Sequence, residues 1–186
     1  MVQSLKVILW GEEIGRLAWD VKRRLSYFMY NPAFLKKGLN ISPLAAPVDG
    51  VGLMPVWGEE AKIYQKLPAF LADSLPDAWG NQLFELWRQQ NHLSNADITP
   101  LDKLSFIGKR GMGALEFLPE VSRERKAEKI DIKSLANLAK RIFSERENAR
   151  ILPEESVTMQ SLLTVGTSAG GCLLYTSPSP RDGATS

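Results

Sequence analysis

An α+β fold with a β-rich N-terminal part and packed helices is predicted by three features of the sequence. Two apolar runs near the start are split by a glycine and two acids, an amphipathic helical repeat occupies the middle, and a densely charged stretch separates a further helix from the rest. Residues 5–10 are mostly apolar, Gly11, Glu12 and Glu13 interrupt, and residues 14–19 form a second apolar-rich run, so the chain opens with a β-hairpin. Residues 25–30, rich in aromatics, predict a third strand. It stops at Asn31-Pro32, because proline lacks the ladder donor and this dipeptide favours a turn. Residues 41–55 carry three prolines and two glycines and are read as an irregular loop.

From Asp77 the apolar residues Trp79, Leu83, Leu86 and Trp87 recur at i, i+4, i+7 and i+8, while Asn81, Glu85, Arg88 and Gln89 are polar, which is an amphipathic helix. A second helix is expected to start at Thr99, a capping residue followed by Pro100, and to stop at Gly108. Residues 114–118 follow as a short strand. In residues 122–129 six of eight side chains are charged, so this stretch is a surface connection or a boundary. A third helix begins at Asp131, with Leu135, Leu138, Ala139 and Ile142 on one stripe. Residues 153–160 read as a turn with a short helix, and residues 161–165 as an apolar strand leading into a run of small residues. Beyond Gly171 small polar residues and two Ser-Pro pairs leave no apolar face, which predicts disorder.

Composition bounds the function. At 186 residues and 44% hydrophobic content the chain can bury a core without disulfides or metals, and its length fits one domain plus part of a second. With 23 basic and 21 acidic residues the net charge is only +2, so contact with DNA must be local or come through a partner. One cysteine, Cys172, excludes an internal disulfide framework and a cysteine-rich zinc site. One histidine, His92, excludes a multi-histidine metal centre. No run approaches the roughly 18 apolar residues of a membrane span and no leader pattern opens the chain, so a cytoplasmic protein without membrane partners is expected.

Several segments could carry chemistry. The run Gly166, Thr167, Ser168, Ala169, Gly170, Gly171 after an expected strand would let backbone amides approach a phosphate closely. It matches neither the Walker pattern nor the GxGxxG fingerprint, so an ordinary loop stays open beside phosphate binding. Gly108-Lys109-Arg110-Gly111-Met112-Gly113 has three glycines and two cations, but its glycines end a helix and open a strand, so it reads as a structural connection. Asp73, Asp77 and Glu85 are not spaced as an acid-base pair, and Asp77 sits where a helix N-cap belongs. His92, at the end of that helix, is read as a surface residue or a cation favoured by the C-terminal dipole. Trp79, Phe84 and Trp87 fall at helical spacing and are read as core.

Taken together, these segments resemble the HipA-type toxin kinases, the serine/threonine kinase component of bacterial type II toxin-antitoxin pairs. The resemblance is carried by Val7-Ile8-Leu9-Trp10-Gly11 with Ile14-Gly15-Arg16-Leu17, by Phe28-Met29-Tyr30 and by Ile41-Ser42-Pro43-Leu44. Its most specific block is Leu71-Ala72-Asp73-Ser74-Leu75-Pro76-Asp77-Ala78-Trp79-Gly80-Asn81, followed by Ile107-Gly108, Gly113-Ala114-Leu115 and Val165-Gly166-Thr167-Ser168-Ala169-Gly170-Gly171. It implies a HipA-like N-terminal domain over residues 1–121, a charged connection over 122–130, and the start of a protein-kinase-like lobe over 131–171. By similarity, Ser168 corresponds to a loop serine that such kinases autophosphorylate, and residues 166–171 to the nucleotide-binding loop. ATP and Mg²⁺ are the implied cofactors of the parent protein. A helix-turn-helix antitoxin that brings the pair to operator DNA is the implied partner, and a protein of the translation machinery the implied substrate.

The sequence departs from the family after Gly171. Lys140 is its last lysine, and Asp182 alone cannot supply a base and metal ligands, so no catalytic or metal-binding residue is expected in this chain and nucleotide should bind it poorly. Residues 172–186 are similar to translated adapter DNA and are expected to be a non-native, disordered tail. Two readings follow: an inactive N-terminal part of a toxin kinase, or a non-catalytic module that contacts an antitoxin. A plain α+β scaffold is the third.

Overall fold

The computed structural model describes residues 2–44, 46–48, 54–55, 58–94, 98–111, 113–119, 132–145, 150–152 and 155–166. The chain forms two compact units, one of Met1–Pro76 with His92–Arg123, the other of Asp77–Asn91 with Glu124–Ser186.

The first unit is built on an antiparallel sheet. Strand β1 (Ser4–Leu9) turns into β2 (Glu12–Asp20) and then β3 (Leu25–Tyr30), and the late strand β5 (Leu115–Leu118) returns to lie beside β1. Two residues of the expected loop, Met54–Pro55, pair with β3 as β4, where a proline is tolerated on an edge, so the order is β4-β3-β2-β1-β5. The first connection differs from expectation. Trp10 and Gly11, both with positive φ (51° and 80°), make the two-residue turn, while Glu12 and Glu13 already belong to β2.

Alternation decides which face is buried: Leu5, Val7 and Leu9 point inward, Ser4 and Lys6 outward. A register shift between Val7 and Ile8 lets β2 bury Ile14 and Gly15 in succession, the signature of a bulge. Against this face pack Phe34 of helix α1 (Pro32–Leu35), Leu71 of α3 (Ala69–Ala72), and Leu101 and Leu104 of α5 (Pro100–Ile107). The aromatics meet edge to face, with Phe28 4.9 Å from Tyr30 and 5.2 Å from Phe70. Helix α5 runs between Thr99 and Gly108 as predicted, whereas α1, α3 and α2 (Gly58–Ile63) lie in segments for which the sequence predicted no element.

The second unit contains α4 (Ala78–Gln90), α6 (Ile132–Glu145) and α7 (Ser156–Gly166). Helix α4 buries Trp79, Leu83, Phe84 and Leu86 as its periodicity predicted, but Trp87 is only half-buried and stacks on Phe84 at 5.9 Å. The α6 stripe buries Leu138, Ala139 and Ile142. One expectation is overturned: residues 161–165 are not a strand but the last turns of α7. Its buried positions Met159, Leu162 and Leu163 recur at i, i+3 and i+4, and a five-residue apolar window is too short to separate that period from a buried strand. The charged stretch 122–129, residues 167–171 and the tail 172–186 lie outside the described residues.

Candidate functional site

The approach to the expected phosphate loop is held by the α6–α7 pair. Arg141, on the last turns of α6, donates through Nη1 to the Arg150 carbonyl at 3.0 Å and through Nη2 to Glu155 Oε2, which also accepts the Leu152 amide at 2.9 Å. This charge-assisted network ties Arg150, Leu152 and Glu155 to one another through Arg141 of α6. Gly166 is the last residue of that helix. Thr167, Ser168, Ala169, Gly170 and Gly171 lie outside the described residues. The consequence for the phosphate reading is electrostatic. A strand-loop-helix arrangement offers an anion the N–H end of a helix, whereas α7 ends at Gly166 on its carbonyl side, where the dipole is negative.

The remaining candidates have structural partners. Asp77 is the N-cap of α4, accepting the Gly80 amide at 2.7 Å, as its position predicted. Glu85 is one turn from Arg88 and paired with it at 2.8 Å, and Asp73 is the exposed C-cap residue of α3. His92 is exposed just beyond the C-cap Asn91, with φ 54°. Gly108, at φ 57°, ends α5 by donating to the Leu104 carbonyl at 2.8 Å, and its own carbonyl receives the Phe117 amide at 3.0 Å. Lys109 stands 4.0 Å from Glu116, and the Arg110 guanidinium lies over the Phe106 ring. The 108–113 run is thus a connection, as read from its glycines.

The sequence reading missed the reciprocal cap of α5. Thr99 Oγ1 accepts the Asp102 amide, Asp102 Oδ2 accepts the Thr99 amide at 2.8 Å, and Oδ1 takes the Val2 amide at 2.7 Å. The signal was present as Thr-x-x-Asp. It also missed the ion pairs of the sheet: Glu12 with Lys37 at 2.6 Å, and Glu13 with Arg16 at 2.9 Å and Lys6 at 3.4 Å. The Arg16 hydrogen bond holds the Glu13 carboxyl below its ordinary value despite the opposing effect of desolvation.

Among the described residues no group of three or more His, Cys, Asp or Glu side chains could hold a metal ion. No described helix is long and apolar enough to cross a membrane. The family model of the HipA N-terminal domain matches residues 5–118, more than half of the chain. No curated protein matches the chain.

Proposed function

The chain belongs to the HipA N-terminal domain family, and from that premise we propose that it is the N-terminal part of a toxin of a toxin-antitoxin pair, whose whole protein phosphorylates serine or threonine of a translation protein using ATP and Mg²⁺. Its own contribution is non-catalytic. It packs against the kinase lobe and helps to hold a helix-turn-helix antitoxin, which carries the pair to operator DNA in the cytoplasm. Residues 166–171 are the start of the nucleotide loop in this reading, and Ser168 is the autophosphorylation candidate.

The observation that carries it is the family match over residues 5–118. The non-catalytic part is supported by the engagement of the carboxylates that acid-base chemistry would need: Asp77 and Asp102 cap helices, while Glu12, Glu13 and Glu85 sit in ion pairs. Phosphoryl transfer needs a lysine on the phosphates, metal ligands and an aspartate that orients the nucleophile.

The test is incubation of the purified chain with ATP and Mg²⁺, in parallel with co-expression beside a helix-turn-helix antitoxin. No label on Ser168 together with co-purification of the antitoxin is expected. Radiolabel that disappears in Ser168→Ala would show that transfer resides in this chain. Labelling-free protein that never retains an antitoxin would remove the binding role.

A further inference from the structure

We propose that the turn between β2 and β3 and the turn between α2 and α3 together form a basic surface that binds the phosphodiester backbone of nucleic acid directly.

The first turn carries Lys22, Arg23 and Arg24 in succession, all exposed. Asp20, the acid beside them, is used to hold the turn: its Oδ1 accepts the backbone amides of Lys22 at 2.9 Å and Arg23 at 3.0 Å. The Arg23 guanidinium donates to the Tyr27 hydroxyl at 3.1 Å, which steadies it on the rim of the sheet. The second turn brings Lys66 to the same end of the sheet. Buried Ser26, two residues after Arg24, donates its hydroxyl to the Lys66 carbonyl.

Two features mark this patch. First, four ion pairs of this unit lie elsewhere. Lys6, Arg16, Lys37 and Lys109 each face a glutamate, whereas Lys22, Arg24 and Lys66 form no ion pair with a carboxylate among the residues whose side chains are described, and Arg23 feels the charge of Asp20 without forming an ion pair with it. Second, the backbone is held in the left-handed region at Arg24 (φ 53°), Gln65 (φ 51°) and Lys66 (φ 63°). Glycine or asparagine occupies that region at less cost, so long basic side chains are kept there against local preference. Two of these three left-handed residues are cations, so part of the backbone cost falls on side chains that carry the charge of the patch.

Phosphodiesters fit better than the other polyanions. Guanidinium forks match phosphate oxygens, and a duplex offers a charge every ~1.7 Å along its axis to cations spread over two turns. A lipid surface calls for a broad apolar face, whereas the exposed run here is Val21 (54%) followed by three cations. The chain's net charge of +2 makes this a local footprint rather than a whole-molecule field.

The experiment is fluorescence anisotropy of the full 186-residue chain with a labelled duplex of arbitrary sequence. With about four phosphate contacts, affinity is expected to fall on the order of 100-fold between about 50 and 200 mM salt. The double variant Arg24→Gly with Lys66→Gly should show about half that salt slope and at least roughly tenfold weaker binding at low salt. Its melting temperature should be equal or higher, since the glycines relieve the left-handed backbone. Lys109→Gln, which removes an ion-paired lysine, should bind as the parent does. No saturable binding at low salt, an unchanged slope in the double variant, equal weakening by Lys109→Gln, or tighter binding to phosphatidylserine vesicles or an acidic peptide would each overturn the proposal. Because the duplex holds no operator and no antitoxin is present, failure here leaves the family-based function untouched.

Discussion

Gly15 is the point where the sheet tolerates no side chain. It lies on the bulge of β2, and a Cβ there would stand 2.5 Å from the Met29 carbonyl oxygen and 2.6 Å from Phe28 Cζ. The obstruction is partly backbone of the neighbouring strand, which cannot swing aside. Gly15→Ala is therefore expected to cost about 1–3 kcal/mol, read as a lower urea midpoint. Tyr30 makes a second residue-scale prediction. Its ring is buried, its hydroxyl donates to the Ala46 carbonyl at 2.8 Å, and burial raises its pKa above the ordinary tyrosine value. A group whose folded pKa is raised contributes fully below its unfolded pKa, about 10, and loses that contribution as pH climbs through the folded one. Tyr30→Phe should thus cost about 1 kcal/mol at neutral pH, and the gap between the two stability curves should narrow above about pH 10. Equal spacing of the curves up to pH 11 would contradict this.

Among the elements, α5 depends on its cap and α4 on its stripe. Thr99 and Asp102 satisfy each other's amides, and Asp102 also holds Val2. Thr99→Ala should cost about 1–2 kcal/mol, and Asp102→Ala more, because the chain start is released as well. On α4, Leu83 is fully buried and Trp87 is not. Leu83→Ala should cost about 2–5 kcal/mol, while Trp87→Ala should cost only about 1 kcal/mol, roughly half of a full burial value. Chemical denaturation of the two variants orders them, and the reverse order would mean that Trp87 is the core residue its spacing suggested. The periodicity was legible because thirteen residues span more than three turns. At α7 it was not, since the window read, residues 161–165, covers little more than one.

At the scale of the whole molecule, the sheet is completed by a strand that arrives more than a hundred residues after its partner: Val7 of β1 faces Phe117 of β5, and both are fully buried. Phe117→Ala is expected to cost about 3–5 kcal/mol, comparable to the stability of an ordinary domain, and to appear as loss of soluble folded protein. The three opening strands, the caps at Asp77 and Thr99 and the stop at Gly108 were determined by the sequence itself, because alternation, capping and glycine chemistry act within a few residues of the chain. The capping role of Asp77 and the structural role of the 108–113 run were legible for the same reason. Tertiary structure alone decided that Met54–Pro55 joins the sheet edge, that residues 161–165 are helical, and that the Lys66 turn is tied to the arginine turn through Ser26. Ser26 and Lys66 are forty residues apart, and no local propensity records such a pairing. It exists only because burial of the shared core brings the two turns to one end of the sheet.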